Sequence, residues 1–186
     1  MKRVLLVAMA LLMLANTGTA QAPDSCYVGL FADVDHSVRR VDYAGGFTML
    51  TMYIWWLPSA RGIRAAEFAI SYPANVIQAT VTANPSINVS MGSLPAGISF
   101  AFESCNEGGV WFESHHQTCY LTSDVVGQFE MIKHPGLIPP AYQIAGCDSA
   151  QGYPIEPVKR LTHLYVNWDG GISAESSSWG AIKSLF

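Results

Sequence analysis

Alternation of large apolar residues with small or polar ones at every second position is the feature that most constrains how this 186-residue chain folds. In residues 66–72, Phe68, Ile70 and Tyr72 share one side of an extended backbone, while Glu67, Ala69 and Ser71 share the other. Successive side chains of a strand point to opposite faces, so such a run buries one face and leaves the other outside. Residues 97–104 repeat the pattern, with Ile98, Phe100 and Phe102 inward and Ser99, Ala101 and Glu103 outward. Residues 76–84 do so again, setting Ile77, Ala79 and Val81 against Gln78, Thr80 and Thr82. The breaks between these runs carry turn residues: Tyr72-Pro73-Ala74-Asn75, Asn84-Pro85-Ser86 and Leu94-Pro95-Ala96-Gly97.

Residues 47–57, FTMLTMYIWWL, differ in being apolar on both parities. That pattern predicts a central strand covered on two sides, or one whose outer face meets another surface. Weaker alternation predicts strands over residues 26–33, 110–114, 118–121, 128–133 and 161–168, about eight or nine in all. Gly-Gly pairs at 45–46, 108–109 and 170–171 add reversals, and residues 135–140 form a Pro-flanked loop. No apolar stripe of helical period persists for three turns, so helix content is expected to be small. Short strands with frequent turns predict an all-β fold, an antiparallel β-sandwich of immunoglobulin-like type.

Half of the residues are hydrophobic and only 13% are charged, which fits one domain with a substantial core. Residues 1–20 account for part of the apolar content. Lys2 and Arg3, an apolar run over residues 4–15 and the small residues up to Ala20 read as a secretory signal peptide cleaved after Ala20. The expected organisation is residues 1–20 as signal peptide, 21–169 as the sandwich and 170–186 as a Ser/Gly-rich tail. The apolar run is too short for a permanent anchor, so no membrane span is expected after cleavage. Without Lys2 and Arg3, eight basic side chains face fourteen acidic ones, a net of −6. That balance argues against nucleic acid as a partner.

Cys26, Cys105, Cys119 and Cys147 are an even number of cysteines in an exported chain, and predict two disulfides. Three connectivities are open. A Cys105–Cys119 bridge would tie a hairpin, whereas Cys105–Cys147 would join distant segments. Spacings without a Cys-x-x-Cys knuckle speak against zinc.

No motif marks a catalytic site or a cofactor. Asp33 and Asp35 beside His36, with Asp42 beyond, offer carboxylate oxygens of the kind calcium takes, although Val38 and Ala44 stand where an EF-hand loop would need Gly and Glu, and a solvated loop is the simpler reading. His115 and His116 are adjacent and so point to opposite faces of a strand. With Glu103, Glu107, Glu113, His134 and His163 they would form an acid-base or metal site only if the fold gathers them. Tyr53 and Trp55 lie two apart on the 47–57 strand and share a face opposite Trp56. Burial in the core is the simpler setting for that face; if open, it would form an aromatic strip for stacking on sugar rings.

Residues 62–77, with the A-x-E-F strand ending at Tyr72 and the corner Pro73-Ala74-Asn75, resemble the opening strands of cohesin-like domains. The chain also resembles exported bacterial β-sandwich proteins with such a domain. There the strand is joined by a later one like Ile98-Ser99-Phe100-Ala101-Phe102-Glu103-Ser104-Cys105 and by a His-Pro pair like His134-Pro135. The resemblance covers about residues 26–150 and implies a cohesin-like fold and an exported, non-catalytic role. Cohesins proper bind dockerin modules; this chain departs from them in its four cysteines, and no catalytic residue is carried over. The expected function is a secreted or cell-surface binding module with a carbohydrate or an extracellular protein as ligand. The alternatives are a small extracellular hydrolase using loop Glu and His residues, or a structural assembly subunit.

Overall fold

The computed structural model describes residues 22–43, 46–122, 125–138, 142–156 and 158–168, so the signal peptide expected over 1–20 and the tail expected over 170–186 lie outside the described residues. Nine strands have five or more residues: β1 (Cys26–Phe31), β3 (Thr48–Leu57), β4 (Ile63–Ser71), β5 (Val76–Ala83), β6 (Ile87–Ser93), β7 (Gly97–Asn106), β8 (Phe112–Leu121), β9 (Gly127–Ile132) and β12 (Val158–Thr162). Four shorter ones join them: β2 (Arg40–Val41), β10 (Gln143–Ala145), β11 (Ile155–Glu156) and β13 (Leu164–Val166). A 3-10 turn at Ser149–Gln151 is the helical element among the described residues.

Two sheets face each other. One has five strands in the order β12-β1-β3-β8-β5. The other has eight, in the order β11-β10-β4-β9-β13-β2, with β7 on the free side of β4 and β6 beyond it. Most pairs are antiparallel, as expected; β1 with β12 and β2 with β13 are parallel, which makes both sheets mixed. The core lies between them. Ile98, Phe100 and Phe102 point into it as their alternation predicts, together with Phe68 and Ile70 from β4 and Leu50, Met52, Ile54 and Trp56 from β3. Trp56, Phe68 and Phe100 meet edge to face, and the Trp56 indole donates to Ser114 Oγ at 2.9 Å, so its one polar atom is satisfied.

Strand β3 is the central strand of the five, which accounts for its two apolar faces. One face enters the main core. The other, carrying Trp55 and Leu57, joins Phe31, Tyr27 and Trp111 in a second, smaller cluster outside the sheet. Gly29 sits beneath it; a Cβ there would come within 2.7 Å of the Phe31 ring.

The expectation of two disulfides is corrected to one. Cys105 and Cys147 are bridged, with Cα atoms 5.8 Å apart, while Cys26 and Cys119 are buried free thiols. Their register explains why they do not pair. Cys119 lies opposite Leu50, whereas Cys26 lies just beyond the Tyr27–Leu57 pair, so the two are about 25 Å apart along the strand direction. A disulfide needs Cα atoms within about 7 Å. Burial pushes the Cys119 thiol up to about 12, and burial followed by the Glu156 carboxylate raises Cys26, so both stay as neutral thiols.

Candidate functional site

The outer face of the eight-stranded sheet carries a trough. Register places Val89, Ala101, Ala65, Ala145 and Ile155 side by side on β6, β7, β4, β10 and β11. Beside this row runs a second one, Met91, Ser99, Glu67 and Gln143. Three adjacent alanines make a floor, and Val89, Met91 and Ile155, which are 43%, 63% and 64% exposed, stand as its walls. Together with Phe100 and Ile144 beneath, these residues enclose a groove of about 330 Å³. Four strand spacings separate Val89 from Ile155, about 19 Å between backbones, with a floor about 10 Å across. Glu67 is the single charged residue lining the groove. Its Oε1 accepts from Ser99 Oγ at 2.9 Å, leaving the carboxylate turned to the trough as an acceptor.

The flank made by β10 and β11 is held in three ways. The Cys105–Cys147 bridge ties it to β7. Cys147 N–H donates to the Arg61 carbonyl at 3.0 Å. Glu156 turns inward from β11, its Oε2 accepting from Ser59 Oγ at 2.5 Å and its Oε1 lying 4.0 Å from Arg61 Nε. Alternation had already set Glu67, Ser99 and Ala101 on an outer face. The walls could not be read, because β6 is exposed along nearly its whole length and β10 and β11 are too short to show a period.

The aromatic pair lies elsewhere. Tyr53 and Trp55 both point out of the five-stranded sheet, away from the main core, and both are half-buried. Tyr53 is 5.7 Å from the His116 ring, and Trp55 is covered by His36, whose ring also stacks on Trp111 at 4.9 Å. The two rings therefore have different neighbours. Burial holds His36 below the ordinary histidine range despite the nearby Asp33 and Asp35.

Glu113 and His116 are brought together, with Oε1 and Nδ1 2.7 Å apart. Residues three apart share a face here because β8 bulges: Trp55 lies opposite Glu113, Ile54 opposite His115 and Tyr53 opposite His116. His115 points inward, buried against Phe100, so the two histidines do face opposite ways. His134 packs on Gly97, and His163 lies beside Tyr165. The Asp33 carboxylate accepts from Ser37 N–H, Ser37 Oγ and Val38 N–H, and Asp42 pairs with Arg40. Burial, the largest single effect, pushes the Asp33 carboxyl up, but these three donors and the nearby His36 together outweigh it and hold Asp33 below the usual carboxylate range.

The two-sheet arrangement is a cohesin-like β-sandwich fold. No family model matches the chain, and no curated protein matches it. Solved structures do. The type III cohesin module of the cell-surface anchoring scaffoldin ScaE of Ruminococcus flavefaciens covers 83% of this chain and 93% of its own length, at 9% identity and a TM-score of 0.53. The cohesin of the OlpA cohesin–dockerin complex from Clostridium thermocellum covers 77% and 99%, at 12% identity and 0.51. A non-cellulosomal cohesin from Archaeoglobus fulgidus covers 82% and 97%, at 8% identity and 0.50. At such identities the likeness is one of fold.

Proposed function

We propose that this protein is an exported, non-catalytic protein-binding module that seats an α-helix of its partner in the trough of the eight-stranded sheet. The observation that carries this reading is the alanine floor between apolar walls. Walls whose backbones are about 19 Å apart, over a floor of small residues, accept a helix with its side chains, about 10–12 Å wide, whereas bulky residues on the floor would hold a helix off the sheet. Glu67 selects a partner with a basic side chain at that point, since an ionised carboxylate only accepts. Support for a protein ligand comes from the cohesin fold, one of whose relatives was solved as a cohesin–dockerin complex. Export is supported by the leader and by a disulfide, a bond of oxidising compartments.

The test is calorimetric titration of the chain against dockerin-type helical modules, basic amphipathic helices and a panel of polysaccharides. A helical binder is expected. Ala101→Trp, which fills the floor, and Glu67→Lys, which reverses its charge, are each expected to weaken binding about tenfold or more without lowering the melting temperature. A helical binder indifferent to Ala101→Trp overturns the trough. Binding to a polysaccharide alone, lost in Trp55→Ala, would replace this reading with a sugar site at Tyr53 and Trp55.

A further inference from the structure

A carboxylate taken out of water is costly unless donors meet both of its oxygens. Glu156 on β11 is 5% exposed, and only its Oε2 is met. Ser59 Oγ gives its one proton to that oxygen and accepts the Arg61 N–H at 3.2 Å. Gly146, where a Cβ would lie 2.5 Å from Oε1, spends its N–H on the Pro154 carbonyl at 2.9 Å. Oε1 is therefore buried without a hydrogen bond. Arg61 Nε stands 4.0 Å from it, beyond hydrogen-bonding reach, on a side chain that is 62% exposed.

The same carboxylate lines a second cavity, of about 310 Å³. Buried Pro23, Ser59 and Glu156 form its base, and exposed Asp24, Arg61 and Ile155 its mouth. Ile155 also walls the trough, so groove and cavity open side by side. From this we infer that the cavity takes a lysine side chain of the partner seated in the trough, its stem crossing Ile155 and its ammonium meeting Glu156 and Asp24 while Arg61 swings outward. The inference rests on the reading of the trough as a protein-binding site. A lysine fits on two counts. Its ammonium is a compact cation with three donors and no acceptor, which is what an oxygen without a donor lacks, and its apolar stem packs on Ile155 and Pro23. Two carboxylates against one guanidinium leave the cavity net negative. Among the described residues no third Asp, Glu, His or Cys joins them, which is short of a metal's ligand set.

NMR titration of the chain with n-butylammonium chloride, which carries the lysine stem and its charge, tests this against n-butanol and sodium chloride as controls. The Arg61, Gly146 and Ile155 amides are expected to shift saturably with n-butylammonium alone. Glu156→Gln is expected to abolish that binding and Asp24→Asn, at an exposed position, to weaken it several-fold, whereas Arg61→Gln, which removes the competing cation, strengthens it. A series of trough-binding helices with a single lysine moved along the chain is expected to include one that displaces n-butylammonium. Shifts that do not saturate, that n-butanol reproduces or that Asp24→Asn leaves unchanged overturn the inference, as does a series in which no helix displaces the probe. Since n-butylammonium is read without a partner, the two readings fail differently. A failed cavity loses these shifts while a helix still binds; a failed trough loses helix binding, and with it the source of the lysine, while the shifts remain.

Discussion

His115 shows what one buried residue does to stability. Its imidazole is inside the sandwich against Phe100, with Ser90 Oγ 3.4 Å from Nε2. Burial, and after it the neighbouring His116, pushes its pKa down to about 4 from an ordinary 6.5. The unfolded chain therefore binds a proton that the folded one refuses as pH falls below 6.5. Stability from this group is complete above that value and is lost towards pH 4, by about 3 kcal/mol. Urea unfolding at pH 7 and pH 4.5 measures it: the wild type is expected to lose most of that difference, and His115→Leu to lose clearly less. His36, also held low by burial, acts in the same direction. The inward His115 and outward His116 followed from adjacency in the sequence. The contact of His116 with Glu113 did not, because it depends on a bulge that places a fourth residue on the face of the first.

At the scale of elements, strands were legible in proportion to the difference between their faces. Residues 66–72 and 97–104 became parts of β4 and β7 with their aromatic residues inward. The separate strands predicted over 110–114 and 118–121 are one, β8, since the His115-His116-Gln117 stretch between them carries polar side chains that the interior accepts: His115 and Gln117 are both 1% exposed. Gln117 Oε1 accepts from the Tyr72 hydroxyl. In β5 the alternation is real but its faces differ from the expected ones. After the bulge Val81 lies opposite the inward Gln117, while Ile77 lies opposite the outward Tyr120. Strand β6 carried no signal, because six of its seven residues are exposed and neither face is chosen by burial. Turns between elements carry sharper constraints. Gly62, just before β4, has φ +69°, and a Cβ there would lie 2.4 Å from the Asn106 carbonyl oxygen and 2.8 Å from Cys147 Sγ. Gly62→Ala is expected to cost about 1–3 kcal/mol by chemical denaturation, through positive φ and this contact together.

For the whole molecule, the Cys105–Cys147 bridge closes a span of 42 residues that includes β8, β9 and β10. Chain-entropy reasoning assigns such a loop about 4 kcal/mol. A Cys105→Ser, Cys147→Ser double variant is expected to lose up to that amount in denaturant unfolding. It is also expected to bind a trough partner more weakly, since the wall at Ile155 loses its tie to β7. The sequence by itself determined the all-β class, the inward residues of the clearest strands and the even set of cysteines, because these follow from period-two patterning and residue chemistry within a few positions. The tertiary structure alone decided which cysteines meet, what covers each face of β3, and that Ala65, Ala101 and Ala145 lie abreast between Val89 and Ile155. Those facts depend on the register between strands distant in the chain. Register is set by the summed packing of two sheets and is written in no single segment.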